Sequence, residues 1–170
     1  MLKFSSVQPI GDGLHSIAVT FNSKPCEVLL TEAVTPGNFD DYRPEILRLL
    51  CVKDWVYFYQ EIRRIGVVDL IASKVISKPA LQFAFSRLET ALTATHVLRD
   101  VHRYWHELLP VVSAVLTEEQ KAAITLAAQR SNLAELLDPS RPPYDPVIDG
   151  TLADYETKYP ISAPTHADNP

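Results

Sequence analysis

Residues 44–65 read PEILRLLCVKDWVYFYQEIRRI, and the fold class follows from the spacing of their apolar members. Leu47, Cys51, Trp55, Phe58, Ile62 and Ile65 recur at steps of four, four, three, four and three, which lines them along one side of an α-helix. Glu45, Arg48, Lys53, Gln60, Glu61, Arg63 and Arg64 fall mostly on the other side. Pro44 suits a first turn, where its missing N–H costs no bond, and Asp40-Asp41 just ahead supply the negative charge a helix N-terminus favours. Gly66 is placed to cap the far end. The spacing therefore predicts one amphipathic helix over about 44–65.

Residues 67–149 contain no glycine, so helix is the expectation for much of that stretch. Val67–Ile76 is short and apolar and reads as a buried helix or a strand, with the glycine-free context and the Ala72-Ser73-Lys74 interruption favouring helix. Ser77 ahead of Lys78-Pro79 is an N-cap signal. Leu81, Phe85, Leu88 and Leu92 then make one stripe and Leu98, Val101, Trp105 and Leu108 another, with Thr90, Thr93 and Thr95 between them. This stretch is one long helix or two, ended or kinked at Pro110. Thr117-Glu118-Glu119-Gln120 has the capping-box pattern and opens an alanine-rich helix reaching Leu136-Leu137, stopped by Asp138-Pro139.

Ahead of residue 44 the pattern changes. His15–Phe21 and Cys26–Leu30 are rich in β-branched and aromatic residues on either side of Asn22-Ser23-Lys24-Pro25, which predicts a short β-hairpin. Beyond residue 137 it changes again. Residues 138–170 hold seven of the 13 prolines and six acidic residues against two basic ones, so they carry −4 of the net −5. Such a stretch has little apolar surface to offset its ordering entropy. Yet Tyr144, Val147, Ile148, Leu152, Tyr155, Tyr159 and Ile161 stand along it as candidate partner-binding anchors. The expected architecture is a mainly α protein: a four- or five-helix bundle with a short N-terminal β-hairpin over residues 1–137, and an extended proline-rich acidic arm over 138–170.

A chain of 170 residues with 46% hydrophobic content is long enough to bury one core. A net charge of −5 argues against nucleic acid as a partner, because its readers usually carry a basic field. No stretch has the uninterrupted apolar length of a membrane span, and Met1–Val7 lacks the basic start and apolar run of a secretory signal. A cytoplasmic or virion-associated protein without membrane insertion is expected. Cys26 and Cys51, the only cysteines, read as small buried apolar residues rather than a redox or zinc pair.

His102 and His106 stand four residues apart, a spacing by which two imidazoles can share a metal. A zincin helix, however, needs a glutamate directly after the first histidine, and Arg103 occupies that place. His96 falls on another face. Asp40-Asp41 and Glu118-Glu119 read as helix caps, Gly11-Asp12-Gly13 as a turn, and no nucleophile elbow or phosphate loop is present. No catalytic residue, metal or cofactor is therefore assigned. Arg48, Arg63, Arg64, Arg87, Arg99 and Arg103 are spread over several helices. A solvated helix face is the economical reading of them; if they converged, they could hold an acidic partner, or the acidic tail itself, by charge-assisted hydrogen bonds.

In organisation, with short strands, a helical body and a charged proline-bearing tail, the chain resembles minor structural proteins and tail-assembly chaperones of tailed bacteriophages. That resemblance implies a virion component or assembly factor. The expected function is a non-enzymatic structural or assembly protein, docking into a multi-chain complex through its hairpin and C-terminal arm. The alternatives are a small helical metal- or cofactor-binding enzyme using His102 and His106, and a regulatory adaptor sequestering a partner helix against Trp55 and Phe58.

Overall fold

The N-terminal thirty residues form an antiparallel sheet of three strands, not the two expected: β1 (Leu2–Gly11), β2 (Leu14–Phe21) and β3 (Lys24–Leu30), in that spatial order. The structure is a computed structural model, and it describes residues 1–160. Asn22 and Ser23 both take positive φ, at 49° and 66°, and Phe21 pairs with Lys24. The β2–β3 turn is thus the tight two-residue kind whose twist matches that of its strands. In β1 the register shifts between Phe4 and Ser6 and again between Pro9 and Gly11. These bulges break the alternation by which a strand is recognised, and Pro9 is tolerated because β1 lies at an edge.

One face of the sheet buries Leu2, Ile17, Val19, Val28 and Leu30 against Phe39, Ile46 and Leu47 of helix α1 (Phe39–Leu49). The helix expected over 44–65 is two. It stops at Leu49, and α2 (Trp55–Arg64) starts afresh after Cys51 takes φ 53°. Cys51 is accordingly exposed rather than buried, and Cys26 is only partly covered. The apolar stripe misleads here because the five-residue link restores the phase: Leu47 and Trp55 are both buried, though in different cores.

The second core lies among α2, α3 (Val67–Val75), α4 (Pro79–Thr90), α5 (Leu98–Ser113) and α6 (Glu118–Arg130). Phe58 packs on Trp105 with ring centroids 6.0 Å apart. Gly66, at φ 80°, makes the reversal between α2 and α3 as expected. The two leucine stripes prove to be separate helices, α4 and α5, joined by a wide π-turn over Ala91–Thr95. Pro110 does not end α5, which runs on to Ser113 with Leu108 and Val112 fully buried on either side of the ring. Both halves of the Thr117–Gln120 capping box form. After Arg130, Asn132 turns the chain at φ 58°, and a 3₁₀ turn over Ala134–Leu137 returns Leu136 to the core.

The two cores meet at one buried ion pair. Asp54 is 1% exposed and Arg43 is 3% exposed. The Asp54 carboxylate accepts from the Arg43 guanidinium, from Leu2 N at 2.7 Å and from Tyr57 N at 3.1 Å, so it caps α2 while gripping β1. Arg43 Nη1 also donates to Leu2 O at 3.1 Å, and its guanidinium lies 4.2 Å from the Tyr57 ring centre. Asp54 N donates to Ser131 O at 2.9 Å, and Asn132 Nδ2 to Val52 O at 2.9 Å, which fastens α6 to the same point. Among the described residues, no helix is long and apolar enough to cross a membrane.

Asp54→Ala leaves the buried Arg43 guanidinium without its counter-charge and the Leu2 and Tyr57 N–H groups without their acceptor, and it should lower the unfolding free energy by about 3–5 kcal/mol in urea titrations. Glu61→Ala, which removes only the surface pair with Arg64, should cost no more than about 1 kcal/mol. Equal losses would show that the buried pair is not the joint.

Candidate functional site

Residues 138–160 are where the sequence concentrates its candidate anchors, and the described part of this segment is neither extended nor free. Asp145 caps a single helical turn, α7 (Pro146–Asp149), by accepting from Val147 N at 2.9 Å. Thr151 and Asp154 form a capping box that opens α8 (Leu152–Lys158). Pro146 sits in the first turn of its helix, where proline starts rather than prevents the structure. Gly150 joins the two at φ 73°; a side chain there would be strained.

The body holds this segment through one face of α5. Arg99, His102 and His106, at relative positions 0, 3 and 7, all point the same way. Arg99 donates to Pro143 O at 2.7 Å and grips the Asp149 carboxylate with both terminal nitrogens, at 3.0 and 3.2 Å. The Asp149 side chain is wholly buried and also accepts from Asp145 N at 3.0 Å. Fork-to-fork pairing of this kind fixes orientation as well as supplying energy. Of the six arginines that could have held the acidic tail, Arg99 does so. Arg48 and Arg64 pair within their own helices, and Arg63, Arg87 and Arg103 lie over Tyr59, Phe83 and Tyr104.

The histidine pair is engaged by backbone. His102 Nε2 donates to Asp138 O at 2.8 Å and His106 Nε2 to Leu136 O at 2.7 Å, with ring centroids 4.4 Å apart. A carbonyl only accepts, so each ring carries its proton on Nε2, and that nitrogen is closed to a metal. Among the described residues, no group of three or more His, Cys, Asp or Glu side chains is arranged to hold a metal ion. Burial holds the His106 pKa below its ordinary value of 6.5, helped by the neighbouring His102 and opposed by the bond to Leu136 and by Asp138. The Ser140 hydroxyl and backbone N–H, both donating to Asp138, lower that carboxyl's pKa.

The candidate anchors divide. Tyr155 is buried against its own chain at 5% exposure. It donates to Pro142 O at 2.6 Å, lies between the rings of Tyr144 and Tyr159 at 5.3 and 5.1 Å, and is covered by Arg141. Tyr144 is partly used, donating to Gly150 O at 2.8 Å, and Tyr159 is half-buried. Val147, Ile148 and Leu152 face solvent, at 92%, 60% and 53% exposure. Ile161 lies outside the described residues. Trp55 and Phe58, read as a possible groove for a partner helix, belong instead to the inner core. Reasoning from sequence missed Asp149 as the segment's main attachment. Its position three residues after Pro146 and next to Gly150 marks a turn, but nothing in the sequence pairs it with Arg99.

No family model, curated protein or solved structure matches the chain. What the site can do is therefore read from its own chemistry.

Two outcomes are expected. Arg99→Ala should strand the buried Asp149 carboxylate and speed proteolytic cleavage within 139–150, with little change in far-ultraviolet circular dichroism. Because the folded His106 pKa is depressed, its contribution to stability is full above 6.5 and is lost as pH falls from there through the folded value. His106→Asn should flatten that part of a stability-against-pH curve; an unchanged slope would assign the pH dependence to other groups.

Proposed function

We propose that this is a non-enzymatic structural or assembly subunit that docks onto another protein through the outer face of its C-terminal segment. The observation that carries the reading is the outward exposure of Val147, Ile148 and Leu152 on a segment whose inner side is fastened by Arg99 and Tyr155. Three large aliphatic side chains leave half or more of their surface in water in the isolated chain. Burial in a partner would contribute about 1.5–3 kcal/mol for a fully exposed side chain such as Val147, and roughly half of that for Ile148 and Leu152. A segment already ordered by its own body loses less entropy on docking than an unstructured arm would.

The free edges of the three-stranded sheet offer a second point of attachment, and a multi-chain assembly is the setting this reading implies. Minor structural proteins and assembly chaperones of tailed phages, which the chain resembles in layout, occupy such settings. The histidine pair gives no comparable support to an enzymatic reading, because both imidazoles spend a nitrogen on backbone carbonyls, His102 on Asp138 at the start of the segment and His106 on Leu136 just ahead of it.

A photo-crosslinking residue at position 147 should capture one defined partner in the native host, and the same residue at exposed Glu118 should not. Ile148→Asp with Leu152→Asp should abolish that capture while the thermal midpoint moves little, as expected for exposed positions. Equal capture at both sites, or capture that survives the double substitution, would defeat the proposal.

A further inference from the structure

The link between α4 and α5 is built in an unusual way, and it borders a cleft. Thr90 and Thr93 turn their hydroxyls back onto the carbonyls of Ser86 and Glu89, at 2.9 and 2.7 Å, a contact that bends helices. The next turn widens, with His96 N bonding Ala91 O at 2.8 Å, five residues back. His96 then takes φ 54°, in the left-handed region. Wide turns and strained non-glycine residues both recur at functional sites, and here the two coincide beside a cleft. The strained residue is held by stacking: the His96 and Trp55 rings are parallel to within 5°, with centroids 5.4 Å apart.

Between this turn and the outer face of α2 lies a cleft of about 310 Å³, at the lower end of the range for small-ligand pockets. Val56 and Leu92 supply apolar wall, and Gln60, Arg63 and His96 supply polar groups. Arg63 makes no ion pair among the described residues, unlike its neighbour Arg64, which is bound to Glu61. Neither the His96 ring nor the Gln60 amide has a hydrogen-bond partner among the described residues. The described lining contains no carboxylate; Glu89, outside it, is taken by the Tyr59 hydroxyl at 3.4 Å. An acidic protein has thus left a cation that rests on the Tyr59 ring, an imidazole stacked on Trp55 and an amide without a hydrogen bond or counter-ion among the described residues, beside a hydrophobic wall.

We infer that the cleft between α2 and the π-turn binds a small organic anion, a carboxylate or phosphate monoester on a short aliphatic stem. Arg63 takes the charged oxygens, His96 and Gln60 orient them, and Val56 and Leu92 receive the stem. Guanidinium is the group best matched to either oxyanion. This site is separate from the docking face and does not depend on it.

The test is titration of the full chain with butyl phosphate and with butyrate, at constant ionic strength, followed by NMR of the Trp55 indole and of His96. One of the two compounds should give saturable shifts confined to Trp55, Gln60, Arg63 and His96, and the better one identifies the headgroup. Arg63→Ala should weaken binding about tenfold or more, and Arg64→Ala should leave it unchanged. Both positions are exposed, so neither variant threatens the fold; His96→Ala provides a second loss. The inference is overturned if neither compound saturates, if sodium chloride reproduces the shifts, or if binding survives Arg63→Ala.

Discussion

A carboxylate buried where three parts of the chain meet is the constraint on which this structure rests. Asp54 ends the link after α1, caps α2 and receives the first strand, while Arg43 reaches across from α1 to neutralise it. Two charges taken out of water cost several kcal/mol each, by order of magnitude, and are tolerated only where geometry satisfies nearly every lone pair and proton. Here Leu2 N, Tyr57 N, Leu2 O and the Tyr57 ring engage the carboxylate and the outer guanidinium nitrogens, leaving only the Arg43 Nε without a partner among the described residues. An apolar replacement could seal the same junction. It could not demand that β1, α1 and α2 arrive in one register, which makes specificity rather than raw stability the natural role of this pair.

The same junction explains where the sequence misleads. A helical stripe running unbroken from Leu47 to Ile65 looks like one helix, because the link at 50–54 happens to preserve the phase. The signal that contradicts it is a single aspartate ahead of Trp55, a cap residue inside a continuous pattern. In β1 the strand is hidden for the opposite reason. Its bulges interrupt the alternation, and its polar residues stand on an edge where exposure is no penalty. Elements whose signal is local and uninterrupted are legible throughout: the hairpin, Gly66, the Thr117 capping box and the helical character of 67–130.

In the C-terminal segment composition misleads, since proline and acidic residues suggest a chain unable to hold itself. Position matters more than content. Pro146 and Thr151 start helices, and Asp149 is a buried acid that a partly buried arginine neutralises. The docking anchors are legible in kind but not in direction. Spacing identifies Val147, Ile148, Leu152 and Tyr155 as apolar points in a polar strip, and only the folded segment shows that Tyr155 turns inward while the other three turn out. A tail of this composition therefore gains order from a handful of placed contacts, without a core of its own.

Those contacts depend in turn on how α5 begins. A helix has one rotational phase once its first residues are set, and for α5 that phase is set by His96 at φ 54° with Val97 extended behind it. Arg99 follows His96 by three residues, and His102 and His106 continue the same face. An ordinary α-helical continuation from Thr90 would run on without the break in direction that the chain makes at Ala91–Val97. The bond from His96 N to Ala91 O and the stack of Trp55 on His96 together hold the strained backbone from which the α5 face starts. The threonines between the two leucine stripes, which read in sequence as a mere interruption, are what make that change of direction.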